Sequence, residues 1–133
     1  MFRKRQQNPT TATEYPAGTF LKTEKGYFYI VNSSKRYRLI SWRAVESWRP
    51  HRVVETTETA LKAYRVAAKM KFRNGSLIHN LADGKIYLIV DGKRCQMVSP
   101  EAFERLGTHH RSKDIVTVSP AEINLHELGE EIS

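Results

Sequence analysis

Few side chains in this 133-residue sequence have the types and spacing that catalysis or metal binding requires. His109 and His110 are adjacent, but neighbouring histidines rarely hold one ion alone, and no Cys, His or carboxylate at ligand spacing completes a set. Cys95 lies inside a predicted strand, where a small core residue is its more common role. No serine, acid or glycine run forms a nucleophile elbow, a carboxylate pair or a phosphate-binding loop. The sequence therefore predicts a protein that is not an enzyme and that binds no metal or cofactor.

Basic and aromatic side chains are the better candidates for binding chemistry. From Lys35 to Arg38 basic and aromatic types alternate, so Arg36 and Arg38 share one strand face while Tyr37 lies on the other. Such a face can hold phosphates beside a stacking ring, and an ordinary solvated strand face has the same pattern. Trp42 is the aromatic residue best placed for a partner contact. The candidates for partner or anion binding are Arg3, Lys4, Arg5, Lys35, Arg36, Arg38, Trp42, Lys93 and Arg94.

The charge balance is strongly basic. There are 22 Lys and Arg against 14 Asp and Glu, which gives a formal net charge of +8 and a pI near 9.8. This charge permits binding to DNA, RNA, anionic glycans or an acidic protein face, and a solvated basic surface explains it equally well. A single cysteine excludes an internal disulfide framework, although a chain of this length can build a core without one.

Two stretches of the chain contain predicted strands, turns and helix starts in the same order. From Gly75 to Gly107, alternating apolar runs broken by Asp83-Gly84 and Asp91-Gly92 predict strands, tight turns and a short helix. Gly18 to Trp48 has the same order at an offset of 57 (75 minus 18), which becomes 58 after one extra loop residue. It becomes 62 (115 minus 53) after the loop from Gly107 to Lys113. Shared turns, strand cores and helix starts in one order indicate a duplicated unit.

The predicted fold class is therefore α+β. We expect small duplicated units, each a β-hairpin with a short helix, that form one pseudo-symmetric domain with a linking helix. This domain spans residues 16–126, with repeats at 16–64 and 73–126. It lies between a flexible basic arm at 1–15 and an acidic tail at 127–133.

Short helices are predicted by their start signals. Ser41 can cap a helix that ends near Trp48, and Ser99 precedes a proline at the first position of another. Ser119 and Glu122 have the spacing of a capping box, in which each side chain bonds the other residue's backbone N–H.

A longer helix is predicted to join the two repeats. It runs from about Glu58 to Lys71, because Leu61, Tyr64 and Ala68 form an apolar stripe at helical spacing.

The second copy resembles a short β-rich repeat of the form G-S/T-L-I/V, v-Y-L-I, dGKR, S-P-E-x-F-x-x-L-G and D-I-V-x-V-S, which is found in secreted, cell-surface and bacteriophage virion proteins. The first copy departs from this pattern at Asn32-Ser33-Ser34, where the glycine turn belongs, and at Trp42, which replaces proline. The resemblance implies a scaffold and a setting rather than an activity. The matching residues are Gly75, Leu77, Tyr87, Ile89, Gly92, Lys93, Arg94, Ser99, Phe103, Gly107, Ile115, Val116 and Ser119.

These observations lead to one expected function and two alternatives. The N-terminus has no apolar signal region and no run of about 18 apolar residues occurs. The repeat resemblance implies an outward-facing protein, and together with the missing signal it leads us to expect a virion component made in the host cytoplasm, acting as capsid decoration, head-to-tail connection or tail. Its partners would be other virion proteins in a symmetric assembly, with nucleic acid possible and no membrane. The alternatives are a nucleic-acid-binding protein that uses the basic patches, and a glycan or cell-wall binding module that uses Trp42 and the tyrosines.

Overall fold

The computed structural model describes residues 14–105 and 115–133, without the side chain of Phe103. Two β-sheets and a few short helices make the chain a small α+β protein, as the sequence predicts. Residue contacts divide it into two compact units. Unit 1 contains the described residues of Met1–Ile40 and of Pro50–Met70, and unit 2 those of Ser41–Arg49 and of Lys71–Ser133. No helix in the described ranges is both long and apolar enough to span a membrane.

The elements follow one another along the chain as strands with short helices between them. They are β1 (Phe20–Lys22), β2 (Phe28–Asn32), β3 (Lys35–Leu39), α1 (Trp42–Ser47), β4 (Val54–Glu55), a 3-10 helix (Ala60–Ala63), β5 (Arg65–Val66), β6 (Leu77–Asn80), β7 (Ile86–Val90), β8 (Lys93–Gln96), α2 (Pro100–Glu104), β9 (Val116–Val118) and α3 (Pro120–Ile123).

Unit 1 is built on a five-stranded sheet in the order β4-β1-β2-β3-β5. The three predicted strands β1, β2 and β3 form an antiparallel meander, and β4 and β5 add to its edges in parallel. Ser33 makes the β2–β3 turn with a φ of 57°, which a short polar side chain tolerates. Leu21, Tyr29 and Val31 lie on one sheet face and form the core with Leu61 and Tyr64.

The prediction of a linking helix from Glu58 to Lys71 is wrong. Only Ala60–Ala63 is helical, and the chain becomes extended at Tyr64 with a ψ of 128°. The backbone N–H groups of Arg65, Ala67 and Met70 instead donate to carbonyls along the open edge of β3, at 2.7 to 2.9 Å. The buried part of the stripe, Leu61 and Tyr64, needs only one helical turn, and the sheet edge supplies the remaining backbone partners.

Unit 2 is built on a four-stranded sheet in the order β8-β7-β6-β9. Strands β6, β7 and β8 are antiparallel, and β9 runs parallel to β6. Asp91 and Gly92 make the predicted turn, with φ values of 52° and 76°, because two positive φ angles match the twist of a tight hairpin. Ile78, Ile89 and Ile123, which belong to β6, β7 and α3, are almost fully buried.

The C-terminal segment that the sequence sets apart as an acidic tail lies along β8. Gly129 and Ile132 donate backbone N–H groups to the carbonyls of Arg94 and Gln96, both at 2.8 Å. In return Arg94 and Val98 donate to the carbonyls of this segment, at 2.8 and 3.0 Å. A side chain at Gly129 would place its Cβ 2.8 Å from the sulfur of Cys95, so the approach requires glycine.

Removing residues 127–133 tests this pairing. We expect the truncated chain to lose about 2 to 4 kcal/mol of unfolding free energy, because four backbone hydrogen bonds of about 1 kcal/mol each disappear. Urea denaturation gives the value. The control is the double substitution Glu130→Gln and Glu131→Gln, which removes charge from exposed side chains and keeps the pairing. Equal stability of the truncated and full chains would contradict the assignment.

Candidate binding cleft on unit 2

Two of the predicted binding residues, Arg36 and Arg94, pack their guanidinium groups against tyrosine rings of their own units. Arg36 lies over the ring of Tyr29, 5.3 Å from its centroid, and one of its nitrogens is 3.9 Å from a carboxylate oxygen of Glu58. Its side chain is only 15% exposed. Arg94 lies 5.5 Å from the ring centroid of Tyr87. Both cations therefore stabilise their units and present little charge to a partner.

Of the other basic candidates on the sheets, two lysines are accessible and Arg38 is half-buried. Lys35 and Lys93 are exposed beside the hairpin turns. Arg38 stacks on Tyr27, with 3.9 Å between the guanidinium carbon and the ring centroid. The ring beside this arginine thus comes from the neighbouring strand segment, and Tyr37 pairs with Ile30 instead. Arg3, Lys4 and Arg5 lie outside the described residues, as do the adjacent histidines at 109 and 110.

Helix α1 places Trp42 at the surface. Ser41 caps the helix as predicted, since its hydroxyl accepts a hydrogen bond from the N–H of Ala44 at 3.1 Å. Ala44 and Val45 face inward and are at most 1% exposed. The opposite side holds the exposed residues Trp42, Arg43, Glu46 and Arg49, and Trp42 is 47% exposed.

A buried carboxylate fixes α1 within unit 2. Glu122 completes the predicted capping box of α3 by accepting from the N–H of Ser119 at 2.8 Å. The same carboxylate accepts two hydrogen bonds from Arg43, at 2.7 and 3.1 Å, and one from the hydroxyl of Ser41 at 2.5 Å. Its side chain is 2% exposed. Burial alone would raise the pKa of Glu122, but the bonds from Arg43, Ser41 and Ser119 outweigh it and lower the pKa to about 2.

Beside α1 lies a cleft of about 390 Å³, which we name the α1 cleft. Three arginines and one glutamate border it, and its apolar wall comes from Phe72, the start of β6 and one residue of β9. The lining residues are Arg43, Glu46, Ser47, Arg49, Phe72, Arg73, Asn74, Gly75, Ser76, Leu77, Ile78 and Val116.

Hydrogen bonds hold the segment Lys71–Arg73 against α1. The indole N–H of Trp48 donates to the carbonyl of Lys71 at 2.9 Å, and the N–H of Arg73 donates to the hydroxyl of Ser47 at 3.1 Å. That hydroxyl donates to the carbonyl of Ala44 at 2.7 Å. One wall of the cleft is therefore tied to the other through backbone groups, which leaves the side chain of Arg73 available.

A buried histidine supports the floor of the cleft from behind. The Nε2 atom of His126 accepts from the N–H of Phe72 at 3.2 Å, and the Nδ1 atom lies 2.7 Å from the carbonyl of Gly92. These partners assign the proton to Nδ1. Burial lowers the pKa of His126, the bond to Gly92 opposes this, and the charges of Lys71 and Arg94 lower it further. The ring therefore stays neutral near pH 7 and accepts from Phe72.

The arginines of the α1 cleft differ in how they are neutralised. Arg43 is paired with Glu122. Within residues 14–105 and 115–133 no hydrogen bond or ion pair neutralises the guanidinium groups of Arg49 and Arg73, and both residues line the cleft. Sequence reasoning selected neither. The available signal was Arg49 itself, which follows a short helix at a position where glycine is usual.

Replacing Glu122 with glutamine tests the buried carboxylate. Because its folded pKa is about 2 against an ordinary 4.5, the ionised group stabilises the fold above about pH 5, and this contribution is lost as the pH falls towards 2. The full difference corresponds to about 3 kcal/mol. We expect Glu122→Gln to be less stable at pH 7 by about 2 to 3 kcal/mol and to lose less stability between pH 5 and 2.

Denaturant unfolding at several pH values gives both quantities. Glu46→Gln is the matched control, because Glu46 is exposed on the same cleft. A Glu122→Gln variant whose stability varied with pH as steeply as that of the native chain would contradict the assignment.

Comparisons with known proteins identify no family. No protein-family model matches the chain, and no curated protein matches it significantly. Among solved structures, the chain is similar to one in the structure of the periplasmic assembly from the ESX-5 inner membrane complex, with 9% sequence identity and a TM-score of 0.34. The match covers 92% of this chain and 42% of that one. A similarity at this level supports no statement about function.

Proposed function

We propose that the protein is a non-enzymatic structural component of a bacteriophage particle that acts through protein–protein contacts. Its place would be in capsid decoration, in the head-to-tail connection or in the tail. The observation that carries the proposal is that the two sheets pair their strands in the same register, which supports a duplicated scaffold of the repeat type that the second copy resembles. Trp42 and the α1 cleft offer the aromatic and arginine side chains that dominate protein interfaces.

The register of the paired strands supports the duplication. Leu21 pairs with Tyr29 in unit 1 and Ile78 pairs with Tyr87 in unit 2, so the partners differ by 57 (78 minus 21) and 58 (87 minus 29). The parallel partners of Leu21 and Ile78 are Val54 and Val116, which differ by 62 (116 minus 54). These are the three offsets of the sequence repeat.

Individual hydrogen bonds recur at the same offsets. The N–H of Tyr15 donates to the hydroxyl of Tyr64 in unit 1, and the N–H of Phe72 donates to Nε2 of His126 in unit 2. The donors differ by 57 (72 minus 15) and the acceptors by 62 (126 minus 64). A different acceptor chemistry at one shared position is the kind of change that two diverged copies accumulate.

Two equivalent arginines test the duplication. Arg36 and Arg94 differ by 58 and stack on Tyr29 and Tyr87, which also differ by 58. We expect Arg36→Ala and Arg94→Ala each to lower the unfolding free energy by about 1 to 2 kcal/mol, because each removes a half-buried cation–π contact and packing of the aliphatic stem.

Lys35→Ala and Lys93→Ala are the matched controls, since they are the exposed neighbours on the same strands and should change stability by less than about 0.5 kcal/mol. Thermal and urea unfolding measure all four variants. A large loss at one arginine and none at the other would contradict equivalent roles.

Particle composition tests the proposed function. In purified particles of the virus that encodes this chain, we expect the protein at a copy number set by the symmetry of one particle substructure, retained through density-gradient purification. Quantitative mass spectrometry and electron microscopy with a labelled chain measure the number and the position. Particles that assemble with none of the protein would contradict the proposal.

A nucleic-acid-binding protein is the second candidate. The observation in its favour is the stack of the half-buried Arg38 on Tyr27, which is 38% exposed, together with the net charge of +8. Its signature is duplex binding that falls by about 0.9 decade of affinity per decade of salt for each phosphate neutralised. Fluorescence anisotropy of labelled DNA from low to physiological salt separates this function from the first.

A further inference from the structure

Arg49 adopts a backbone conformation that disfavours its side chain. Its φ is 49°, in the left-handed region, and its N–H donates to the carbonyl of Glu46 at 2.9 Å just after α1 ends. The other described non-glycine residues with positive φ, Ser33 and Asp91, are short polar residues in hairpin turns. A long side chain in this region is unfavourable, and helices usually place glycine there.

The chain itself contains glycine at the matching position of its second copy. The offset of 58 that aligns Ser41 with Ser99 aligns Arg49 with Gly107. Glycine is thus the residue that the local backbone favours, and the first copy departs from it. Strained positions of this kind cluster at binding sites, and Arg49 lines the α1 cleft.

The strained residue lines the α1 cleft. Arg49 and Arg73 are its two unneutralised cations, while Glu46 places one negative charge on the same border. Its apolar wall is backed by Leu77 and Ile78, each at most 3% exposed, and its accessible apolar surface comes from Val116, which is 39% exposed. The site therefore combines two planar donors for a carboxylate with an apolar surface beside them.

We infer that the α1 cleft binds an acidic polypeptide segment, with Arg49 and Arg73 holding a carboxylate and the apolar wall receiving a neighbouring apolar side chain. The inference rests on the proposed function, because it names the surface through which protein–protein contacts are made. A volume of about 390 Å³ suits a few side chains of a peptide. A duplex would engage many phosphates, whereas this cleft has only two unneutralised cations, so it fits a polypeptide better.

A peptide array tests the inference. The full chain is applied to an array of random nine-residue peptides, and the preferred peptides are then synthesised and titrated by fluorescence anisotropy at physiological salt. We expect the bound peptides to be enriched in Asp or Glu next to an apolar residue. Arg49→Gly and Arg73→Ala should each weaken these peptides by about tenfold or more, as loss of a charged hydrogen-bond donor does. Lys85→Ala, which removes an exposed cation of unit 2 away from the cleft, should change affinity less than about twofold.

Arg49→Gly also reports on the strain. It should raise the Tm by about 2 to 5 °C while it weakens the peptide, because glycine adopts the left-handed conformation without a steric penalty. A folded, more stable variant with weaker binding cannot be explained by loss of structure.

The remaining outcomes separate the inference from the proposed function. Acidic peptides that bind Arg49→Gly and Arg73→Ala as well as the native chain would overturn the inference and leave a protein-binding function at another face. No enrichment of acidic peptides would overturn the inference, and the composition of the particle would then decide the proposed function. If the same protein also bound duplex DNA at physiological salt with a steep salt dependence, both would be replaced by the nucleic-acid function.

Discussion

An ionised carboxylate in the interior is the constraint on which the arrangement of unit 2 depends. Glu122 is almost fully buried, and a buried charge is tolerated only when partners satisfy it. Local sequence supplies the N–H of Ser119, and distant sequence supplies Arg43 and Ser41. Because these last two begin α1, the carboxylate fixes where that helix lies. The carboxylate thereby holds one border of the α1 cleft, and hydrogen bonds of Trp48 and Ser47 hold the segment before β6 at the other.

Open sheet edges decide the course of two segments that have no strong structure of their own. Residues 65–70 lie along β3, and residues 127–132 lie along β8. Each edge offers N–H and C=O groups that need partners once water is excluded. This demand turns a helix-like apolar stripe into extended chain in unit 1, and it draws an acidic segment into the sheet in unit 2. In both units, therefore, the last segment of the proposed repeat runs parallel to the third strand of the antiparallel meander.

The net charge of the sequence overstates the charge available to a partner. Arg36 and Arg94 cover tyrosines of their own units, and Arg43 is neutralised by Glu122. Other cations, such as Lys35 and Lys93, stay exposed on the sheets, while Arg49 and Arg73 line one cleft with an apolar wall. A few placed cations beside an apolar surface favour recognition of a polypeptide, whereas a broad basic surface would favour a polyanion. The proposed scaffold function and the proposed peptide site therefore draw on the same distribution of charge.

The sequence by itself determined the features whose energies are local. Ser41 as a cap, the Ser119 and Glu122 capping box, the Asp91-Gly92 turn and the exposed position of Trp42 all depend on residues a few positions apart. Only the tertiary structure decided the extended chain after Tyr64, the pairing of the acidic segment, the inward arginines and the α1 cleft. Each of these depends on partners far away along the chain, such as Arg43 and Glu122, which are 79 residues apart. A local sequence pattern does not determine which distant group supplies a hydrogen bond. Neither the α1 cleft nor the extended chain after Tyr64 could therefore be predicted before the fold was known.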